Sequence, residues 1–196
     1  MTIMRGAEQL VCRSGAWGRF AAGVVLPRAL PGVRPEGEVL EIGCGGGAVA
    51  ARLLTDHPEI GVTGVDIDPA MVGATARRLR PYGPRGRAVR ADCTHLPFEP
   101  ASFDTVVTFL TLHHVGGWED ALAEAVRVLR PGGLLAGYDA LDTRAARWFH
   151  RALFTDFRLA GYTELERRLD ALGLEQVVVR RQAAGVIATF HARLPS

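Results

Sequence analysis

The stretch "VLEIGCGGGA", Val39 to Ala48, decides the fold. An apolar run ends in a cluster of glycines, and a helical pattern follows at once. Glycines in that place let the chain turn sharply and bring its backbone close to a ligand. The cluster satisfies two patterns. It reads G-x-G-x-x-A from Gly43 to Ala48, the fingerprint of a dinucleotide loop. It also reads E-x-G-x-G-x-G from Glu41 to Gly47. Both point to an adenosine-bearing ligand, and the choice between NAD and a cationic cofactor rests on the rest of the chain.

Working outward, strand and helix patterns alternate. "EVLEIG" is followed by the helical "GAVAARLLTDH". "GVTGVDI" is followed by "PAMVGATARRLR", opened by Pro69 at its first turn with Asp68 as the cap. "GRAVRAD" is a short third strand. "FDTVVTFL" precedes the amphipathic "WEDALAEAVRVLR", and "GGLLAGYD" is a fifth strand. Such alternation predicts a doubly wound, mostly parallel sheet with helices on both faces. The tail breaks the pattern. After the helical "TELERRLDALG", the runs "LEQVVVRRQ" and "AGVIATFHARL" predict an antiparallel hairpin that closes the sheet.

The 196 residues, 48% of them hydrophobic, suit one well-packed domain. Its predicted parts are a helical arm or lid over residues 1–35, a ligand-binding core over 36–139, and an acceptor-side segment with the hairpin over 140–196. The net charge of +2, from 23 basic and 21 acidic residues, gives no general pull toward nucleic acid or membrane. Every basic residue is arginine, and the chain has neither lysine nor asparagine. Biased codon usage accounts for that, but it removes Schiff-base and lysine-base chemistry. Cys12, Cys44 and Cys93 form no C-x-x-C pair, so neither a disulfide framework nor a metal site is expected. Together with the lack of an apolar stretch long enough to span a bilayer, this predicts a cytoplasmic protein.

Three acids separate the candidate ligands. Glu41 lies beside the glycine loop, where it opposes a pyrophosphate and attracts an ammonium or sulfonium. Asp66 ends the second strand about twenty residues after the loop, the spacing at which an acid meets ribose hydroxyls. Asp92 in "ADCTHLPF" follows the third strand, which lies beside the second in this fold, within reach of an adenine amino group. The Tyr-x-x-x-Lys pair of short-chain dehydrogenases cannot exist without lysine.

"VLEIGCGGG", "GVDID", "ADCTHLPF", "FDTVVTFLTLHHV" and "RVLRPGGLL" stand in an order that resembles the class I S-adenosylmethionine-dependent methyltransferases, closest to the type 11 group. The resemblance covers roughly residues 38–139. It implies a Rossmann-like seven-stranded α/β sheet with the hairpin as its last two strands, and S-adenosyl-L-methionine as cofactor. It also implies roles by position. Glu41, Gly43 and Gly45 would surround the methionine end, with Cys44 in a place where cysteine is common and not nucleophilic. Asp66 would hold the ribose, and Ile67 would lie against the adenine. Asp92 and the Cys93 backbone would meet the adenine edge. Phe109 and Leu110 would line the sulfonium region.

Methyl transfer from a sulfonium needs alignment and exclusion of water more than it needs a catalytic triad. His113 and His114, after the fourth strand, are candidate bases at the ligand-binding edge. Tyr138 and Asp139 end the fifth strand at that edge, and Asp139 could instead cap a following helix. His150 is more simply a packed helical histidine. Trp17, Phe20, Trp148, Phe149 and Phe154 are either core or an apolar lid, and a lid would imply an apolar or aromatic acceptor. The chain has "TFLT" where related amino-directed nucleic-acid enzymes carry an Asn/Asp-Pro-Pro-aromatic motif. The arginine-rich run "RRLRPYGPRGRAVR" reads as a solvated face. The expected acceptor is therefore a small molecule, not nucleic acid. Two alternatives stand beside it: a cofactor-binding protein without transferase activity, and an NAD-dependent oxidoreductase.

Overall fold

The computed structural model describes residues 15–30, 32–144, 146–148, 158 and 160–196. Seven strands form one sheet in the order β3-β2-β1-β4-β5-β7-β6. They are β1 (Glu38–Ile42), β2 (Gly61–Asp66), β3 (Gly86–Arg90), β4 (Phe103–Phe109), β5 (Leu129–Ala140), β6 (Glu175–Gln182) and β7 (Ile187–Arg193). The first five pair in parallel. β7 lies antiparallel to both β5 and β6, which makes the predicted hairpin the end of the sheet. The order reverses at β1, between β2 and β4. That is the switch point where open α/β sheets leave a crevice beyond their carboxyl ends.

The helices are α1 (Gly15–Phe20), α2 (Leu26–Ala29), α3 (Ala48–Asp56), α4 (Pro69–Leu79), α5 (Trp118–Val128) and α6 (Tyr162–Ala171). A π-helical turn, Ala21–Val25, joins α1 to α2. Their sequences explain them. In α4, Asp68 caps the helix by accepting the Ala70 N–H at 2.8 Å, and Pro69 follows in the first turn. In α5, Trp118, Ala121, Leu122, Ala125 and Val128 form one buried stripe, with Glu119 and Asp120 in the favourable first turn.

Two apolar layers sandwich the sheet. One gathers α5 and α6 residues, including Trp118, Leu122, Leu165 and Leu169, against Leu40, Ile42, Val106 and Phe190. The other gathers Val49, Ala50, Leu53 and Leu54 of α3 against Val39, Val62 and Val107. Val25 and Leu26 of the arm are buried in this second layer with Phe109 and Tyr138, so the described end of the arm forms core. Each such side chain contributes about 1.5–3 kcal/mol when fully buried. β5 begins earlier than the sequence predicts. Leu129 pairs with Phe103, and the register then shifts across "RPGG" before Leu134 pairs with Thr105.

Candidate active site

The glycine loop after β1 is held from several sides. The N–H groups of Gly43 and Cys44 both donate to Val65 O at 2.9 Å, and the Gly45 N–H donates to Asp66 Oδ2 at 3.0 Å. Thr75 of α4 donates its hydroxyl to Gly45 O at 2.8 Å. Two glycines are required by shape. Gly43 and Gly47 both have φ of +73°, a left-handed conformation. A Cβ on Gly43 would come within 2.2 Å of the Thr111 side chain, and one on Gly47 within 2.8 Å of Thr75 Oγ1. The backbone therefore packs directly against Thr111 and Thr75 here, while Gly45 between them faces open space.

Two acids sit under this loop. Glu41 is 3% exposed and its Oε2 has no hydrogen-bond partner among the described residues. Burial pushes its carboxyl up to about 8, against the Ala50 backbone N–H, and the nearby Asp66 adds to the rise. Asp66 is also buried. Its Oδ1 accepts the Asp68 N–H at 3.0 Å and its Oδ2 the Gly45 N–H, which leaves each oxygen a second lone pair. Burial raises its carboxyl too, opposed by those backbone donors. Cys44 lies beside both acids with its thiol pushed up by burial, the state of an inert packed cysteine.

Around the rim, Ile67 is half-buried, and its carbonyl accepts Arg90 Nε at 3.2 Å. Asp92 Oδ1 accepts from the Thr94 N–H at 3.0 Å and its hydroxyl at 2.8 Å. Burial opposes ionisation of Asp92 and the Thr94 bonds favour it; the carboxyl lies below its ordinary value. Cys93 is buried, its thiol pushed up to about 12 by desolvation.

The loop after β4 forms the other wall. Phe109 is buried, and Leu110 is held left-handed, with φ of +52°, while its N–H donates to Tyr138 O at 2.7 Å. Such a conformation in a leucine is strained and persists because the surroundings impose it. The sequence offers Asp139 as an acceptor-side group or a helix cap; the structure encloses its carboxylate within the fold. Oδ2 accepts the Thr111 and Leu112 N–H groups at 3.0 and 2.7 Å, and Oδ1 accepts the Ala140 N–H at 2.7 Å. Oδ1 also lies 2.5 Å from His113 Nδ1. Burial works to raise this carboxyl, but His113 and the backbone donors prevail and hold it below its ordinary value. An ionised Asp139 makes Nδ1 the protonated nitrogen of His113. The His114 ring lies 4.0 Å from that of His113. Tyr138 is buried on the opposite layer near Arg28, its phenol raised by burial.

A cavity of about 10 Å³, the size of one water, lies beside this pair, lined by Leu112, His113, Trp118, Arg158, Leu165 and Phe190. The buried Trp118 Nε1 has no partner among the described residues. Arg158 closes the region, donating its backbone N–H to His113 O at 2.8 Å and its side chain to Glu119. Phe20 is 42% and Trp148 75% exposed. The Trp17 side chain, Phe149, His150 and Phe154 lie outside the described residues.

The structure thus brings together Glu41, Gly43, Cys44, Gly45 and Asp66 around one loop, and His113 and Asp139 around another. The sequence reading missed Thr75 and Thr111, which shape the first loop from 30 and 68 residues away. No local pattern marks them, since each is a threonine in an ordinary run.

The family description "methyltransferase domain" matches residues 39–133. Residues 39–133 are thus similar to a methyltransferase domain, in line with the class I, S-adenosylmethionine-dependent resemblance of the sequence. Among its curated relatives is the phthiotriol/phenolphthiotriol dimycocerosates methyltransferase of Mycobacterium leprae. It is 40% identical over 101 residues, which are 52% of this chain and 37% of the relative. Another is ribosomal RNA small subunit methyltransferase H of Picosynechococcus, 36% identical over 84 residues, 43% of this chain and 29% of the relative. The chain therefore spans well under half the length of these two relatives. A solved methyltransferase from Thermotoga maritima has the same fold, with a TM-score of 0.70, 24% identity and 90% of each chain covered. This match weighs against the oxidoreductase alternative. It also answers the double reading of the loop in favour of E-x-G-x-G-x-G. The orphaned Glu41 oxygen and the open space at Gly45 fit a cofactor that carries positive charge and no phosphate.

Proposed function

We propose that this chain transfers the methyl group of S-adenosylmethionine to a small apolar or aromatic molecule. The observation that carries this reading is the pair of buried acids, Glu41 and Asp66, beneath a glycine loop that has open space at Gly45 and holds no cation of its own among the described residues. In this reading Glu41 and the backbone of Gly43, Cys44 and Gly45 hold the methionine end. Asp66 holds the ribose through its spare lone pairs. Ile67, Asp92 and the Cys93 backbone frame the adenine. The cofactor supplies a methyl group already activated by sulfonium charge.

The remaining work falls to the wall after β4. Phe109 and Leu110 exclude water from the sulfonium side and fix the line of approach. His113 accepts a proton at Nε2 where the acceptor must lose one, and Asp139 acts through it by holding Nδ1–H. His114 is the second candidate for that proton.

The small-molecule assignment is supported by the name of the Mycobacterium leprae relative and by the exposed Trp148 and Phe20 on the acceptor-side segments. The ribosomal RNA relative matches over less of this chain, so the shared sequence speaks for the cofactor more than for the acceptor. The same proposal treats the chain as one domain, with residues 140–196 on the acceptor side. It places the protein in the cytoplasm, in keeping with the free thiol of Cys44.

Radiolabelled S-adenosylmethionine and a panel of quinols, phenols, amines and lipid alcohols test the reading, with total RNA as a further acceptor. Label entering a small apolar acceptor is the expected result. Label entering RNA alone would overturn the acceptor class. Tight cofactor binding without transfer to any acceptor would favour a regulatory or scaffold role.

A further inference from the structure

Glu41 presents an uncommon combination. Its carboxyl is buried at the end of β1, one oxygen lacks any donor among the described residues, and no arginine or histidine among them pairs with it. The groups packed around it make matters worse for a negative charge. β2 contributes the Asp66 carboxyl and the loop contributes the Cys44 thiol; α3 contributes the Ala50 backbone N–H as the single donor. β4 places Val107 alongside it. An ionised carboxylate left unpaired in such surroundings costs several kcal/mol, so a buried acid keeps its proton instead.

We infer that Glu41 is a neutral acid while the cofactor site is empty and gives up its proton when the cationic cofactor binds, so that its own charge arises only in the complex. The inference rests on the proposed binding of S-adenosylmethionine and adds to it a specific proton inventory. It assigns the orphaned oxygen a purpose: it is the acceptor that a ligand ammonium completes. The bound cation then lowers the carboxyl from about 8, and the complex holds fewer protons than its parts. Affinity for S-adenosylmethionine must therefore rise with pH, by up to about tenfold per unit below that value, until the ligand's own ammonium begins to lose its proton.

Calorimetry of the full chain with S-adenosylmethionine at pH 7, in two buffers of different ionisation enthalpy, counts the protons released. We expect release of close to one proton in the native chain, and little in Glu41→Gln, which keeps the shape and removes the titration. Buffer-independent heats in the native chain would overturn the inference, as would equal release from the variant. A folded native chain that shows no binding at all would instead sink the proposed function, a distinct result. If Glu41→Gln does not fold, infrared difference spectra of the native chain decide. A protonated-carboxyl band lost on adding S-adenosylmethionine supports the inference, and an unchanged spectrum in that region overturns it.

Discussion

At the scale of single residues, the site rests on groups whose surroundings are tighter than their sequence context implies. Asp66 is the plainest case. Its carboxylate both pins the glycine loop through the Gly45 N–H and keeps lone pairs for a ribose. Replacement by alanine removes both functions, and charge-assisted hydrogen bonds are worth about 1.5–3 kcal/mol. Asp66→Ala is expected to weaken S-adenosylmethionine binding by at least about tenfold, measured by titration calorimetry on protein whose circular dichroism is unchanged. Native-like affinity would refute the ribose contact. The sequence made Glu41 and Asp66 legible because their spacing from the glycines is local. It left Thr75 and Thr111 hidden, because their importance lies in what touches them after folding.

At the scale of elements, the loop after β4 depends on the end of β5. Asp139 is the joint: three backbone N–H groups and one imidazole converge on its two oxygens. Removing one partner of a buried pair costs about 3–5 kcal/mol, since the donors are left unsatisfied. Asp139→Ala should lower the urea midpoint accordingly. The folded carboxyl lies below its ordinary value, so its stabilisation is present above about pH 4 and is lost as pH falls through the lower folded value. The native chain and the variant should therefore converge in stability under acid. A variant as stable as the native chain at neutral pH would show that the joint bears no strain. The strands and helices on either side were readable from period and caps. The joint itself was not, because Asp139 reads equally well as a helix cap until β4 and β5 are seen side by side. The early start of β5 was hidden for a similar reason: Pro-Gly-Gly signals a turn, and only pairing with β4 carries the strand through it.

At the scale of the whole molecule, the proposed function puts the cofactor half between β3 and β4 and the acceptor half at β5, the hairpin and the arm. The arm also contributes to the core. Aromatic residues at helical spacing suit a lid, but Val25 and Leu26 complete the layer that also buries α3. Leu26→Ala should therefore destabilise the fold by about 2–5 kcal/mol in denaturant unfolding, whatever it does to acceptor choice. A change confined to acceptor choice would restore the arm to a lid alone. The two halves meet where Thr111 fills the space that a side chain at Gly43 would need. Those positions are 68 residues apart, yet sterically they are one object. Over evolutionary time neither can drift freely. A side chain at position 43 would need both a smaller partner at 111 and a strained left-handed backbone, so a change in the glycine loop is also a change in the wall after β4.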